Sequence, residues 1–387
     1  MLCCNTLPGY RGVVEKTFVR GNFIRTVNGG PARADRARNA TGRRDMNPVN
    51  ELGRARVPFT ELMDLASELM SGSVLEASDD FFAPKENLIK SQAAVFIPDK
   101  YTENGKWMDG WESRRKRNLT PGDDHDWCVL RLGTAGRIHG VNVDTAHFLG
   151  NFPEYCSLEA IRAPGVSGVP KGDWTEILSK SKLQGGTQNL FPITFDGTVT
   201  HIRLRIYPDG GVARLRVHGE VRPDWKQLKK NVDLAAAANG GEVVTCNDMF
   251  FGQKDNLILP GRARTMGEGW ETRRRRGPGH DWIIVRLATA GMVRKIEVDT
   301  NHFKGNFPES CSIEGCACPE RNLLPVDFRD RADLKWTEIL PRTKLQAHHQ
   351  HLFEKELKRA EQKFDYIRMN IFPDGGVSRL RVFGDIE

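Results

Sequence analysis

An aspartate and a histidine three residues apart occur twice in this chain, each time in the frame Asp-Thr-x-His-Phe-x-Gly-Asn-Phe-Pro: Asp144 with His147, and Asp299 with His302. Side chains of these types on a loop serve as general base and acid, or as two ligands of a divalent ion. The competing assignment is structural: the aspartate caps its own loop and the histidine is a satisfied donor. A second pattern, Trp-Glu-(Ser/Thr)-Arg-Arg, sets Glu112 beside Arg114 and Arg115, and Glu271 beside Arg273 and Arg274. A guanidinium fork grips a carboxylate bidentately, so these arginines suit a small anion; a solvated strand edge is the alternative. His348, His349 and His351 stand close together once only, opposite a histidine-free Gly186-Thr-Gln-Asn189. An unshared histidine group is expected if one copy keeps acid/base machinery, or if it is a surface loop.

These patterns recur because the chain is a tandem duplication. His125 to Phe152 and His280 to Phe307 align without a gap, with 16 of 28 positions identical. His-Asp-Trp opens both blocks, and Pro-Asp-Gly-Gly-Val-x-Arg-Leu-Arg-Val closes both copies from Pro208 and Pro373. A unit of this size buries its own core. Register places copy one at 57–221 and copy two at 222–387. Residues 1–56 fall outside both and read as a disordered extension. Residues 1–57 carry 11 Lys/Arg against 4 Asp/Glu, which is the whole net charge of +7; the body is neutral. That argues against nucleic acid as a partner, despite the arginine runs. The basic start is a candidate transit peptide, or a segment with no targeting role. No apolar run reaches the roughly 18 residues that span a membrane, and eight cysteines without a CxxC pair fit reduced thiols inside a cell.

The elements that must position these residues are strands. Ile202, Leu204 and Ile206 alternate with Arg203 and Arg205, and Val212 to Val217 alternate again with Arg214 and Arg216 pointing outward. With Pro208-Asp-Gly-Gly211 between them, the two predict a hairpin. Trp127–Leu132 and Ile138–Val143 predict two strands joined by a turn at Thr134-Ala-Gly136, and Phe59–Met70 predicts an opening helix. Short strands with glycine-rich turns indicate an all-β chain of two jelly-roll sandwiches.

With all four motifs present twice in fixed order from about Phe59 onward, the chain resembles the allantoicase family. The resemblance implies galactose-binding-like jelly-rolls, hydrolysis of allantoate to ureidoglycolate and urea, and a homo-oligomer, in the cytoplasm or a peroxisome. Allantoate carries a carboxylate and two ureido groups on one carbon. Its chemistry suggests Arg114, Arg115, Arg273 or Arg274 on the carboxylate and Glu112, Glu271, Asp144 or Asp299 on ureido N–H groups, with His147, His302 or His348 as acid/base. No cofactor is called for, and a divalent metal ion stays open. A non-catalytic jelly-roll binding protein and an inactive relic are the rival functions.

Overall fold

The computed structural model describes residues 58–386, except 227, 322 and 359–360. Its regular structure is mostly strand, in two repeated sandwiches. The central element of copy one is a single 19-residue strand, Asp126–Asp144. Its first half runs between Ser73–Ala77 and Val199–Tyr207, and its second half between Gln188–Pro192 and Arg214–Val221. Tyr155–Ile161 and Thr175–Lys182 extend the first layer, and Met63–Asp64 extends the second. The long strand thus belongs to both layers. Leu130, Val141, Leu204, Leu215 and their neighbours fill the space between them. Copy two repeats the plan around Asp281–Asp299, with a second core that includes Ile283, Ile296, Ile313 and Leu380 and that Met70 of copy one also joins.

Three expectations are corrected. The turn predicted at Thr134-Ala-Gly136 does not exist: the chain continues straight through, and Gly136 is small because Leu65 and the Glu220 carbonyl crowd it. The predicted hairpin is not one either. Val199–Tyr207 and Arg214–Val221 bond to different halves of the long strand, so the Pro-Asp-Gly-Gly segment crosses between layers. Alternation identifies a strand but not its partner. The predicted opening helix is two 3-10 turns, Phe59–Glu61 and Glu68–Met70, flanking the short strand Met63–Asp64. The Asp64 carboxylate accepts from the amides of Ala66 and Val217, which ties this segment to the sheet edge and stops a helix from forming.

Arg214 is a further correction, because it is buried, not outward. Only 1% exposed, it donates through Nη2 to Asp109 Oδ2 at 2.7 Å and through Nη1 to the Asp109 carbonyl. Its counterpart Arg379 is equally buried, but among the described residues it donates to carbonyls alone, those of Glu268 and Ser378. Burial draws the Arg379 pKa down to about 10, which leaves it charged at neutral pH.

Candidate active site

At one end of each sandwich three of the repeated motifs meet. Trp111–Glu112 pairs with Gly211–Val212, and Trp270–Glu271 with Gly376–Val377, so the Trp-Glu pair is laid against the Pro-Asp-Gly-Gly crossover. The tryptophans are fully buried and donate from the indole nitrogen to the carbonyls of Asp79 and Asp248. Gly210 and Gly375 hold φ of 134° and 138°, a region open to glycine, and a Cβ on either would strike the carbonyl of Asn151 or Asn306. This contact locks the Gly-Asn-Phe-Pro loop against the crossover, and the Gly211 and Gly376 amides bond the same two carbonyls. The asparagine amides are thereby aimed at the glutamates. Asn151 Nδ2 donates to Glu112 Oε1 at 2.7 Å, and Asn306 Nδ2 donates to Glu271 Oε1.

Glu112 and Glu271 both have their pKa raised, with loss of hydration as the main cause and the asparagine hydrogen bond opposing it. No cation bonds either carboxylate among the described residues. In copy two the glutamate opens into a cleft of about 540 Å³, whose walls include Arg274, Asn306, Lys344, Glu309 and Asp374. Burial, one fixed oxygen and a raised pKa make Glu271 a group that can give and take a proton.

The arginine pairs divide. Arg114 bonds Asp79 through its backbone and side chain, and Arg273 bonds Asp248 in the same way. Lys116 pairs with Asp123 and Asp126, and Arg275 with Asp281. Between these anchored neighbours, Arg115 and Arg274 make no hydrogen bond or ion pair among the described residues. Arg274 is free to meet a ligand in the cleft. The role of Asp126 and Asp281 in the His-Asp-Trp motif is thus to hold the basic loop down.

The other candidates sit elsewhere. Asp144 and Asp299 each accept from the amide two residues on, Ala146 and Asn301, as loop caps. His147 and His302 adopt φ of 70° and 71° and contact the carbonyls of Ala94 and Ala263 through Nε2. His348 Nδ1 accepts the His302 amide. His351 is buried, accepts the Gln346 amide at Nε2 and contacts the Val298 carbonyl through Nδ1. Asn189 makes the matching bonds to Gln184 and Val143 in copy one, so His351 replaces an amide that pins the same loop. Among the described residues no three His, Cys, Asp or Glu side chains converge to hold a metal ion.

Among the groups in the cleft that lay outside the sequence candidates are Asn306, Lys344, Glu309 and Asp374. Asn306 belonged to a repeated motif but had no assigned role, and Lys344 lies in a Lys-Leu-Gln tripeptide that also occurs at Lys182. Their repetition was the available signal.

The repeats are matched by a model of the allantoicase repeat over residues 63–222 and 232–387. The chain is 47% identical to allantoicase of Dictyostelium discoideum over 329 residues, which covers 84% of this chain and 87% of that one. It is 48% identical to probable allantoicase 1 of Burkholderia mallei, covering 84% and 95%. The crystal structure of Saccharomyces cerevisiae allantoicase superposes with a TM-score of 0.69 at 34% identity, covering 84% of this chain and 94% of the other. A duplicated sandwich with the same motifs in the same order, matched in sequence and in backbone across both copies, places this chain in the allantoicase family.

Proposed function

We propose that this chain hydrolyses allantoate to ureidoglycolate and urea, a step of purine breakdown, in the cleft of copy two. The observation that carries the assignment is Glu271: a buried carboxyl group with a raised pKa, fixed by Asn306, in a cleft shared with the unengaged Arg274. The reaction breaks the bond between the central carbon and one ureido nitrogen, and the oxygen of water takes its place. Arg274 holds the substrate carboxylate as a fork. Protonated Glu271 donates to the departing nitrogen, which leaves as urea. The resulting carboxylate then accepts a proton from the water that adds to the carbon, and the acid is restored. Lys344 adds positive charge on the carboxylate side. Glu112, Asn151 and Arg115 form the equivalent set in copy one. In this scheme Asp144, Asp299, His147, His302 and His348 shape the loops that carry the site.

The boundaries 57–221 and 222–387, a homo-oligomeric state and a cytoplasmic or peroxisomal location belong to the same proposal; light scattering and a tagged chain in cells test the last two. No described helix is long and apolar enough to cross a membrane.

The deciding experiment is urea release from allantoate, run with and without added divalent ion. Urea production by the full chain and a drop of about 10²- to 10⁴-fold in Glu271→Gln are expected. Absence of urea under both conditions would overturn the activity, and a normal rate in Glu271→Gln would overturn the role of that residue.

A further inference from the structure

The two copies differ at two positions that their shared fold brings together. In copy two Glu297 and Asp299 project from the same face of the long strand, two residues apart, and Arg262 lies across them. Its Nη1 donates to Asp299 Oδ2 at 3.0 Å, and the guanidinium also pairs with Glu297. Copy one has Asn142 and Asp144 at these strand positions and Ala93 in place of Arg262. The register is fixed by the next residue, since His147 contacts the Ala94 carbonyl as His302 contacts that of Ala263.

The arginine–aspartate floor beneath is shared by both copies, although His218 of copy one stands where copy two has Phe383. Arg216 pairs with Asp64 and donates to the Gln92 carbonyl, as Arg381 pairs with Asp233 and donates to the Gly261 carbonyl. What copy one lacks is the guanidinium. A cleft of about 460 Å³ stands there, with Ala93, Asn142 and Asp144 in its wall. Asn142 is only 7% exposed, yet its side-chain oxygen has no hydrogen-bond partner. Asp144 uses Oδ1 for its loop cap, and Oδ2, the counterpart of the atom that receives Arg262, makes no hydrogen bond or ion pair among the described residues.

We propose that this cleft is a second ligand site, which takes a planar group with several N–H donors, a ureido or guanidino group, in the space that Arg262 fills in copy two. Copy two shows the complementarity within the same chain: two acceptors on alternate residues of one strand face receive one planar fork of donors. The charges agree. Arg216 and Asp64 offset each other, which leaves the Asp144 carboxylate in the wall with the His218 imidazole, and that carboxylate suits a neutral ureido group or a monocation better than an anion. The site is separate from the Glu271 cleft and does not depend on the activity proposed there.

The test is calorimetric titration of the full chain with methylurea, with methylguanidinium, and with N-methylacetamide, which offers a single N–H, as the control. Ala93→Arg/Asn142→Glu rebuilds the copy-two arrangement and is expected to remove one binding site. Arg262→Ala reopens copy two and is expected to add one. Glu271→Gln should leave binding at this cleft as it is while lowering urea release from allantoate, which separates the two proposals. N-methylacetamide should bind at least about tenfold more weakly, as expected for a lost hydrogen bond. Preference for methylurea identifies a ureido ligand, and preference for methylguanidinium a guanidino ligand. Unchanged stoichiometry in either variant, or equal binding of the control, overturns the proposal; the gain in Arg262→Ala keeps it testable if the double variant fails to fold.

Discussion

Glu271 can be tested by pH as well as by rate. Its folded pKa is raised above the unfolded value, so the folded chain holds this proton more tightly. The stabilising contribution is therefore present below the unfolded pKa and is lost as pH rises through the folded one. Glutamine keeps the Asn306 hydrogen bond without the buried charge. Glu271→Gln should match or exceed the wild type in melting temperature at mildly alkaline pH while losing turnover; a fall in both would make Glu271 structural. The neighbouring arginines give a second contrast. Arg274→Lys loses the fork and should weaken substrate binding by about 1–3 kcal/mol. Arg273→Lys disturbs an exposed pair with Asp248 and the stacking over Phe250, and should cost less than about 1 kcal/mol of stability, with the Michaelis constant unchanged. Equal effects on the Michaelis constant would remove Arg274 from the site. The sequence displayed glutamate and arginine in the right motif, but it could not separate two adjacent arginines. They share a side chain and differ only in direction, and direction is set by Asp79 and Asp248, more than twenty residues away in sequence.

Elements were legible as types and less so as partners. Period-two alternation identified the strands at Trp127–Leu132, Ile138–Val143 and His201–Ile206, because half-buried faces impose it. It said nothing about the long strand joining two layers, and an alternating arginine was assigned to solvent. Arg214 instead enters a polar pocket built by Asp109, from a segment 105 residues earlier. Such a pair makes a prediction at this scale. Asp109→Ala leaves a buried guanidinium without its carboxylate and should destabilise the chain by about 3–5 kcal/mol in denaturant titration. Glu268→Ala, the matching change in copy two, should cost far less, because Arg379 bonds the Glu268 carbonyl while the Glu268 carboxylate faces Arg264. Equal losses would show that the Asp109 pairing contributes nothing beyond packing. The opening segment teaches the same lesson: Phe59–Met70 has helical spacing, yet edge pairing to Arg214–Val221 overrides that local preference.

At the scale of the whole molecule, duplication was the most legible property, since it needs only comparison of the chain with itself. The two cores draw on residues from Met63 onward, and residues 1–56 lie outside the described part of the chain. Charge separates the same two parts. The first 57 residues hold the entire net charge of +7, and the remainder holds 46 basic and 46 acidic side chains. Removing residues 1–56 should therefore move the isoelectric point from near 9.0 to near neutrality and abolish retention on a cation exchanger at neutral pH. Melting temperature and urea release should stay as they are, because both Glu-Asn-Arg sets lie in the repeats and the described residues of each repeat supply a core of their own. A fall of more than a few degrees would mean that the extension packs on a sandwich, and a loss of rate without a loss of stability would mean that it reaches a cleft. If the truncated chain keeps its fold and rate while a reporter fused to residues 1–56 is redirected within the cell, the basic segment is an address; a uniformly distributed reporter leaves it as charge alone.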